Sequence, residues 1–350
     1  MWKVKSGIRY ITIKRMAMKK YTLKSSSDSA LRLIQPGRFK VDYKNKLNAA
    51  QYEAVSTVNG PLLVIAGSGT GKTLTIAYRV AYLIELGVKP ESILLLTFTR
   101  KAAQEMLRRA TLLLDARCGS VAGGTFHSFA NSILRKYASL LNFESTFTIL
   151  DQGDAEDVIN LIRMRLKFDT REKRFPRKDT LYDLYSKSIN TLVPLEAVLA
   201  REYPHYLQLG EDVQILFRHY VQYKRQHQLI DYDDLLANLV DLLQKHESVR
   251  AALSERYRYI MVDEYQDTNF IQGEIIRLLT YKHDNVMVVG DDAQAIYSFR
   301  GSTVKNILSF PEQYKGCTVI KLEENYRSTQ PILNLANAIL NGPREPAGDV

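Results

Sequence analysis

The sequence has little cysteine: among 350 residues only Cys118 and Cys317 occur, and no CxxC pair. That excludes a disulfide framework and leaves no zinc-ligand spacing. No apolar run approaches the roughly 18–20 residues that a membrane-spanning helix needs. Near the N-terminus, Arg9, Thr12 and Lys14 interrupt Ile8, Tyr10, Ile11 and Ile13. A secretory segment of about 7–15 apolar residues is therefore missing. These absences lead to the expectation of a cytoplasmic chain with no membrane partner. What is present is ordinary for a globular protein: 45% hydrophobic and 25% charged residues, in a length sufficient for two or three domains.

The net charge of +10 is unevenly spread. Residues 1–44 hold twelve Lys/Arg against two Asp/Glu, whereas the other 306 residues carry 36 of each sign. The basicity thus belongs to a leader that also contains Ser25–Ser26–Ser27–Asp28–Ser29 and Gln35–Pro36–Gly37, which read as linker and turn. Such a leader reads as a disordered tail or as a non-specific phosphate contact. Net charge does not separate the two.

From Leu47 onward, short apolar strands alternate with amphipathic helices, the pattern of a parallel α/β sheet. The expected strands are Leu62–Ile65, Ile93–Thr97, Tyr259–Asp263, Val286–Gly290 and Thr318–Leu322, apolar on both faces as buried parallel strands are. Thr73–Leu86 and Ala102–Leu114 show helical periodicity, as do Val213–Lys224, Leu235–Leu243 and Pro331–Leu340. Residues 131–230 lack a convincing buried strand and read as a helical insertion. Within it, Arg163–Lys178 carries eight basic and two acidic residues, which suits a solvated loop or a contact with duplex DNA equally.

The segment Ala66–Gly67–Ser68–Gly69–Thr70–Gly71–Lys72–Thr73 fits the phosphate-binding P-loop, with Ala in the first position. Its glycines let backbone N–H groups turn around a phosphate, and the following helix adds its positive end. Lys72 would reach the β- and γ-phosphates, and the Thr73 hydroxyl would ligate Mg²⁺. The strand Tyr259–Asp263 runs into Asp263–Glu264–Tyr265–Gln266–Asp267 at the sheet's carboxyl edge. Asp263 suits Mg²⁺, and Glu264 suits activation of water. Gln294, after Val286–Gly290, would sense the γ-phosphate. ATP and Mg²⁺ are the expected cofactors.

Further segments follow in order: Leu47–Asn48–Ala49–Ala50–Gln51, Thr97–Phe98–Thr99–Arg100–Lys101–Ala102–Ala103, Gly124–Thr125–Phe126–His127–Ser128–Phe129, and Asp231–Tyr232–Asp233–Asp234–Leu235. Then come Val289–Gly290–Asp291–Asp292–Ala293–Gln294–Ala295–Ile296–Tyr297 and Leu322–Glu323–Glu324–Asn325–Tyr326–Arg327–Ser328–Thr329. Together with the P-loop and the Asp263 segment, this series resembles the UvrD/Rep family of superfamily 1 DNA helicases. The resemblance runs from Leu47 to Leu340. It implies an ATP-dependent helicase or translocase moving 3′→5′ on single-stranded DNA, with single/double-strand junctions as a further partner.

The resemblance also implies roles. Gln51 would read the adenine edge and Tyr326 would stack on the base. Arg327 would act as an arginine finger from a second motor half. Thr97, Phe98, Thr125, His127, Tyr297, Phe299 and Arg300 would line the DNA track, where stacking on an aromatic is worth about 1–3 kcal/mol per base. Two positions depart from the family pattern: Leu74 stands where Arg is usual, and Phe299 where Trp is usual.

The expected fold is therefore α/β: a RecA-like P-loop NTPase parallel sheet, a helical insertion subdomain, and the truncated start of a second RecA-like domain. The expected boundaries are a leader at 1–44, a motor domain at 45–130 and 231–315, the insertion at 131–230, and the second domain's start with a tail at 316–350. The family's later motifs, with a ribose-contacting Glu and a second catalytic Arg, do not follow. The expectation is ATP binding without unwinding by this chain alone, unless self-association or a partner supplies the second motor domain. Rival readings are an ATP- or DNA-binding module without activity, and the motor part of a helicase–nuclease.

Overall fold

The structure, a computed structural model, describes residues 39–168, 175–291 and 304–340. The leader through residue 38, the middle of the basic run at 163–178, Gln294, Tyr297, Phe299, Arg300 and the tail from residue 341 lie outside the described residues.

Among the described residues eight strands form: β1 (Leu62–Ala66), β2 (Ile93–Thr97), β3 (Ala122–Thr125), β4 (Thr148–Ile149), β5 (Leu229–Ile230), β6 (Tyr259–Val262), β7 (Val286–Gly290) and β8 (Thr318–Leu322). Six of them make one parallel sheet in the order β3-β2-β6-β7-β1-β8. Because side chains alternate along a strand, the four inner strands β2, β6, β7 and β1 feed two cores. Leu94, Leu96, Ile260, Val262 and Val288 pack with Phe126, Leu235 and Ile275 on one face. Leu95, Met261, Met287, Val64 and Val289 pack with Ile76, Val80 and Met106 on the other. Burying each such side chain contributes roughly 1.5–3 kcal/mol, so the two-sided apolar pattern fixes these strands in the sheet interior.

Parallel pairing puts the carboxyl ends of all six strands on one edge. Ala66 pairs with Leu322, Ile65 with Gly290, Leu96 with Val262, and Thr97 with Thr125. The residues that follow each strand are thereby gathered where open α/β sheets bind ligands. Helices return the chain between strands, chiefly Lys72–Glu85, Arg100–Leu113, Phe126–Tyr137, Tyr232–Lys245 and Phe270–Leu279. Thr99 caps the second of these by accepting from Ala102 N at 3.1 Å.

One strand departs from expectation in its place. Thr318–Leu322 was expected to begin a second motor domain, yet β8 is the edge strand of the first sheet, paired with β1 from Leu62↔Thr318 to Ala66↔Leu322. Without it, one side of β1 would leave its N–H and C=O groups unpaired. Ile320 and Leu322 also close the core there.

A strand was also missed. β3 reads Ala122–Gly123–Gly124–Thr125, without branched side chains. A Cβ at Gly123 would meet Leu107 Cδ1 at 3.0 Å, and one at Gly124 would meet Ser128 Oγ at 2.5 Å. A side chain at either position would require Leu107 or Ser128 to shift, and the two glycines erase the strand's sequence signature.

The 131–230 stretch has a core of its own, built from Ile159, Leu181, Leu184, Leu199, Val213, Leu216 and Tyr220. Its short parallel ladder, β4 with β5, joins Thr148–Ile149 to Leu229–Ile230. Among the described residues no helix is long and apolar enough to cross a membrane.

Candidate nucleotide and nucleic-acid site

β1 ends in a loop whose shape rests on two glycines. Gly69 and Gly71 have φ of +83° and +90°, the left-handed region that side chains disfavour. Their surroundings are equally restrictive. A Cβ at Gly69 would lie 2.7 Å from Arg327 Cβ, and one at Gly71 would lie 2.8 Å from Gln51 Nε2. Thr70 Oγ1 donates to Gly67 O at 2.8 Å and tightens the turn. The helix Lys72–Glu85 starts directly behind, so its positive N-terminal end faces the loop.

Lys72 Nζ reaches Glu264 Oε2 at 3.0 Å, and Gln266 Nε2 donates to the same oxygen at 2.8 Å. Glu264 itself is held at φ +50° where β6 turns into its loop. The other amide oxygen, Gln266 Oε1, accepts from Asp291 N at 3.0 Å and so ties the ends of β6 and β7 together. Asp263 is nearly buried, and its Oδ1 has no hydrogen-bond partner. Burial, and secondarily the charge of Glu264, pushes Asp263 up to about 7 against the pull of Lys72. Asp267, also with an unpartnered Oδ1, is pushed up to about 6 by burial and then by Glu264.

Unpartnered, desolvated carboxylate oxygens favour an arriving cation. Among the described residues, no group of three or more His, Cys, Asp or Glu side chains is arranged to hold a metal alone. The unpartnered Asp263 and Asp267 oxygens fit Mg²⁺, which is usually bound through one or two carboxylates together with substrate phosphates.

The opposite wall comes from the helix Ala49–Ser56 and the segment after β8. Asn48 and Gln51 form a capping box: Gln51 N donates to Asn48 Oδ1 at 2.8 Å, and Asn48 N to Gln51 Oε1 at 3.2 Å. Gln51 Nε2 then donates to Thr70 O at 3.0 Å, fastening this helix to the P-loop. Tyr326 is exposed, but its backbone N donates to Gly69 O at 2.9 Å and its hydroxyl accepts from Asn48 Nδ2 at 2.8 Å. Asn325 Nδ2 donates to Ser68 O at 2.6 Å, while its Oδ1 accepts from the backbone of Arg327 and Ser328. Arg327 Nη1 stands 3.4 Å from Ser68 Oγ. Tyr326 and Arg327 thus reach the loop from the same sheet as Lys72, rather than from a second motor half.

A cleft of about 830 Å³ results. It is lined by Gln51, Ser68, Gly69, Gly71, Lys72, Thr73, Glu264, Tyr326 and Arg327, all chosen from the sequence. Ala66, Gly67 and Thr70 shape the loop without lining the cleft. Three lining residues were missed: Lys46, Asn48 and Arg109. Arg109 sits one helix away, held by Glu105 Oε1 at 2.7 Å, and shares the wall with Leu74. Only the packing of Arg100–Leu113 against Lys72–Glu85 brings it there.

A second hollow, of about 220 Å³, gathers Thr97, Phe98, Thr125 and His127 with Phe126, Asp263, Glu264, Thr268 and Gln272. Phe98 is 40% exposed. Thr125 caps the helix Phe126–Tyr137 by accepting from Ser128 N at 3.2 Å. The His127 ring meets Tyr232 edge-on at 5.9 Å, and burial holds its pKa below the usual imidazole value. Glu264 lines both hollows.

A family model described as the UvrD/REP helicase N-terminal domain matches residues 47–315. The chain belongs to that family. Its UvrD/REP relatives include the ATP-dependent DNA helicase PcrA of Staphylococcus aureus (strain Mu50), 37% identical over 307 residues, which are 87% of this chain and 41% of the relative. PcrA of Staphylococcus epidermidis (strain RP62A) is 37% identical over 305 residues, 86% of this chain and 41% of the relative. This UvrD/REP chain therefore spans about two fifths of the length of the curated relatives it matches.

Proposed function

We propose that this chain is the ATP-hydrolysing motor portion of a DNA helicase that moves 3′→5′ on single-stranded DNA and meets single/double-strand junctions. The observation that carries the reading is Glu264, which lines both the P-loop cleft and the hollow of Phe98 and His127. One carboxylate positioned between two binding surfaces lets occupancy of one alter chemistry in the other.

In this reading, P-loop N–H groups and Lys72 hold the β- and γ-phosphates. Thr73 and Asp263 would hold Mg²⁺, which would supply positive charge against that developing on the phosphate oxygens. Glu264 orients the attacking water and takes its proton, a contribution of about 10²–10⁴ in rate for a positioned base. Arg327 faces the γ-phosphate, Gln51 the adenine edge, and Tyr326 the base plane; Gln294 completes the set. Thr97, Phe98, Thr125 and His127, with Tyr297, Phe299 and Arg300, form the DNA track. Domains divide as a motor body, 45–130 and 231–322, around a helical subdomain at 131–230. The cytoplasm is the proposed compartment.

The test is ATP hydrolysis with and without oligodeoxythymidylate, beside a Lys72→Ala control. Turnover or ATP affinity altered by DNA, and lost in the control, is expected. Indifference of both to DNA would overturn the motor reading.

A further inference from the structure

Arg79 is among the largest fully buried side chains of the protein, at 2% exposure. Every hydrogen bond described for its guanidinium goes to a backbone carbonyl. Nη1 donates to Ala54 O at 2.7 Å and Thr57 O at 2.5 Å, with Val55 O at 3.5 Å, and Nη2 donates to Val58 O at 3.3 Å. These are carbonyls at the C-terminal end of the helix Ala49–Ser56 and in the turn after it. The last four carbonyls of a helix lack partners of their own and carry the negative end of its dipole. A guanidinium, planar and many-donored, can meet several of them at once.

A buried arginine held only by carbonyl dipoles is a costly arrangement. Desolvation accordingly brings Arg79 down to about 10. A leucine would avoid the buried charge but would leave these carbonyls without donors, so the location of the bonds matters. Arg79 lies seven residues beyond Lys72, two helical turns on and hence on the same face of the P-loop helix. The helix it grips is the one that carries Gln51. At its other end that helix is fastened to the same P-loop through Gln51 Nε2 and Thr70 O. Eight residues long, it is pinned at both ends to the P-loop and the helix leading from it.

We propose that Arg79 is a positioning residue for base selection: by anchoring the C-terminal end of helix Ala49–Ser56, it sets where the Gln51 amide stands beside the P-loop. The proposal rests on the reading of Gln51 as the adenine-facing amide. Phosphate contacts come from the loop itself and do not pass through Arg79. Its influence should therefore fall more on discrimination between bases than on phosphate binding, a split that a generally supportive core residue would not show.

The experiment compares binding of ATP and GTP to the full chain and to Gln51→Ala, Arg79→Lys and the double variant, each checked for a cooperative melt. Lysine keeps the charge and a long stem but not the spread of donors. The dissociation constant for ATP is expected to rise about tenfold in Arg79→Lys, as for loss of one well-placed hydrogen bond. That for GTP should move less than about twofold, and the double variant should match Gln51→Ala. A Gln51-dependent preference for ATP that survives Arg79→Lys, or additive losses in the double variant, overturns the proposal alone. No base preference in the unmodified chain, or one indifferent to Gln51→Ala, overturns the reading of Gln51 and this proposal with it. If Arg79→Lys does not fold, amide exchange in the unmodified chain decides. ATP should slow exchange across 54–58 as well as 48–51, and GTP should not; protection confined to 48–51 overturns the proposal.

Discussion

Lys72 Nζ stands 3.0 Å from Glu264 Oε2, so the cation that follows β1 and the carboxylate that follows β6 form one ion pair across the sheet's carboxyl edge. The lysine side chain is 10% exposed and the glutamate 37%. A triphosphate would offer Lys72 more negative charge than one carboxylate does, releasing Glu264 toward the attacking water.

Replacing either partner should separate binding from chemistry. Lys72→Ala removes a charge aimed at the phosphates and is expected to weaken ATP binding and lower turnover by about 10²-fold or more. Glu264→Gln keeps the hydrogen-bonding shape and should retain ATP affinity within a few fold while losing turnover by about 10²–10⁴-fold. Nucleotide titration and phosphate-release assays distinguish them. Equal loss of affinity in both variants would refute the assignment of Glu264 to water.

Phe98 tests the second hollow. Phe98→Ala should lower the melting temperature only modestly, because the residue is 40% exposed. Loss of one stacked base, about 1–3 kcal/mol, predicts roughly 5- to 150-fold weaker binding of oligodeoxythymidylate in fluorescence anisotropy. Unaltered DNA affinity would remove Phe98 from the track.

Asp233 predicts a pH dependence of stability. Burial, and next the charge of Asp231, pushes its carboxyl up to about 6 from 3.8, although Asn190 Nδ2 donates to Oδ1 at 2.6 Å. The folded chain therefore binds this proton more tightly than the unfolded one. The stabilisation is complete below about pH 4 and is lost as pH rises through about 6. At about 1.4 kcal/mol per pKa unit, the loss reaches at most about 3 kcal/mol. Asp233→Asn keeps the Oδ1 acceptor and sheds the charge. It should melt several degrees higher than the parent at pH 8 and alike near pH 4. A variant that melts no higher at pH 8 would contradict this account.

Lys224 is the counterpart. Its Nζ lies 2.5 Å from Asp231 Oδ2 and 2.6 Å from Asp234 Oδ2, beneath the Tyr220 ring at 4.0 Å. Lys224→Met would leave buried carboxylates without their cation and is expected to cost about 3–5 kcal/mol in urea unfolding. A loss below about 1 kcal/mol would mean the acids find other partners.

Local chemistry was legible in the residues themselves. The loop glycines, Lys72 and Thr73 state their purpose in eight consecutive positions, and two-sided apolar runs announced β1, β2, β6 and β7; β8 was expected to be covered on both faces but buries only Ile320 and Leu322, as an edge strand does. These signals are short-range: a backbone that must turn, or a strand that must be covered on both faces. Tertiary structure decided what depends on neighbours distant in sequence. Gly123 and Gly124 form a strand because they pair with Leu95 and Leu96 of β2. β8 joins the first sheet because β1 has an edge to pair. Arg109 enters the cleft through helix packing, and Arg79 grips carbonyls that have no side-chain identity to read. Hydrogen bonds to a backbone leave no mark on the partner's sequence, so only the folded chain reveals them.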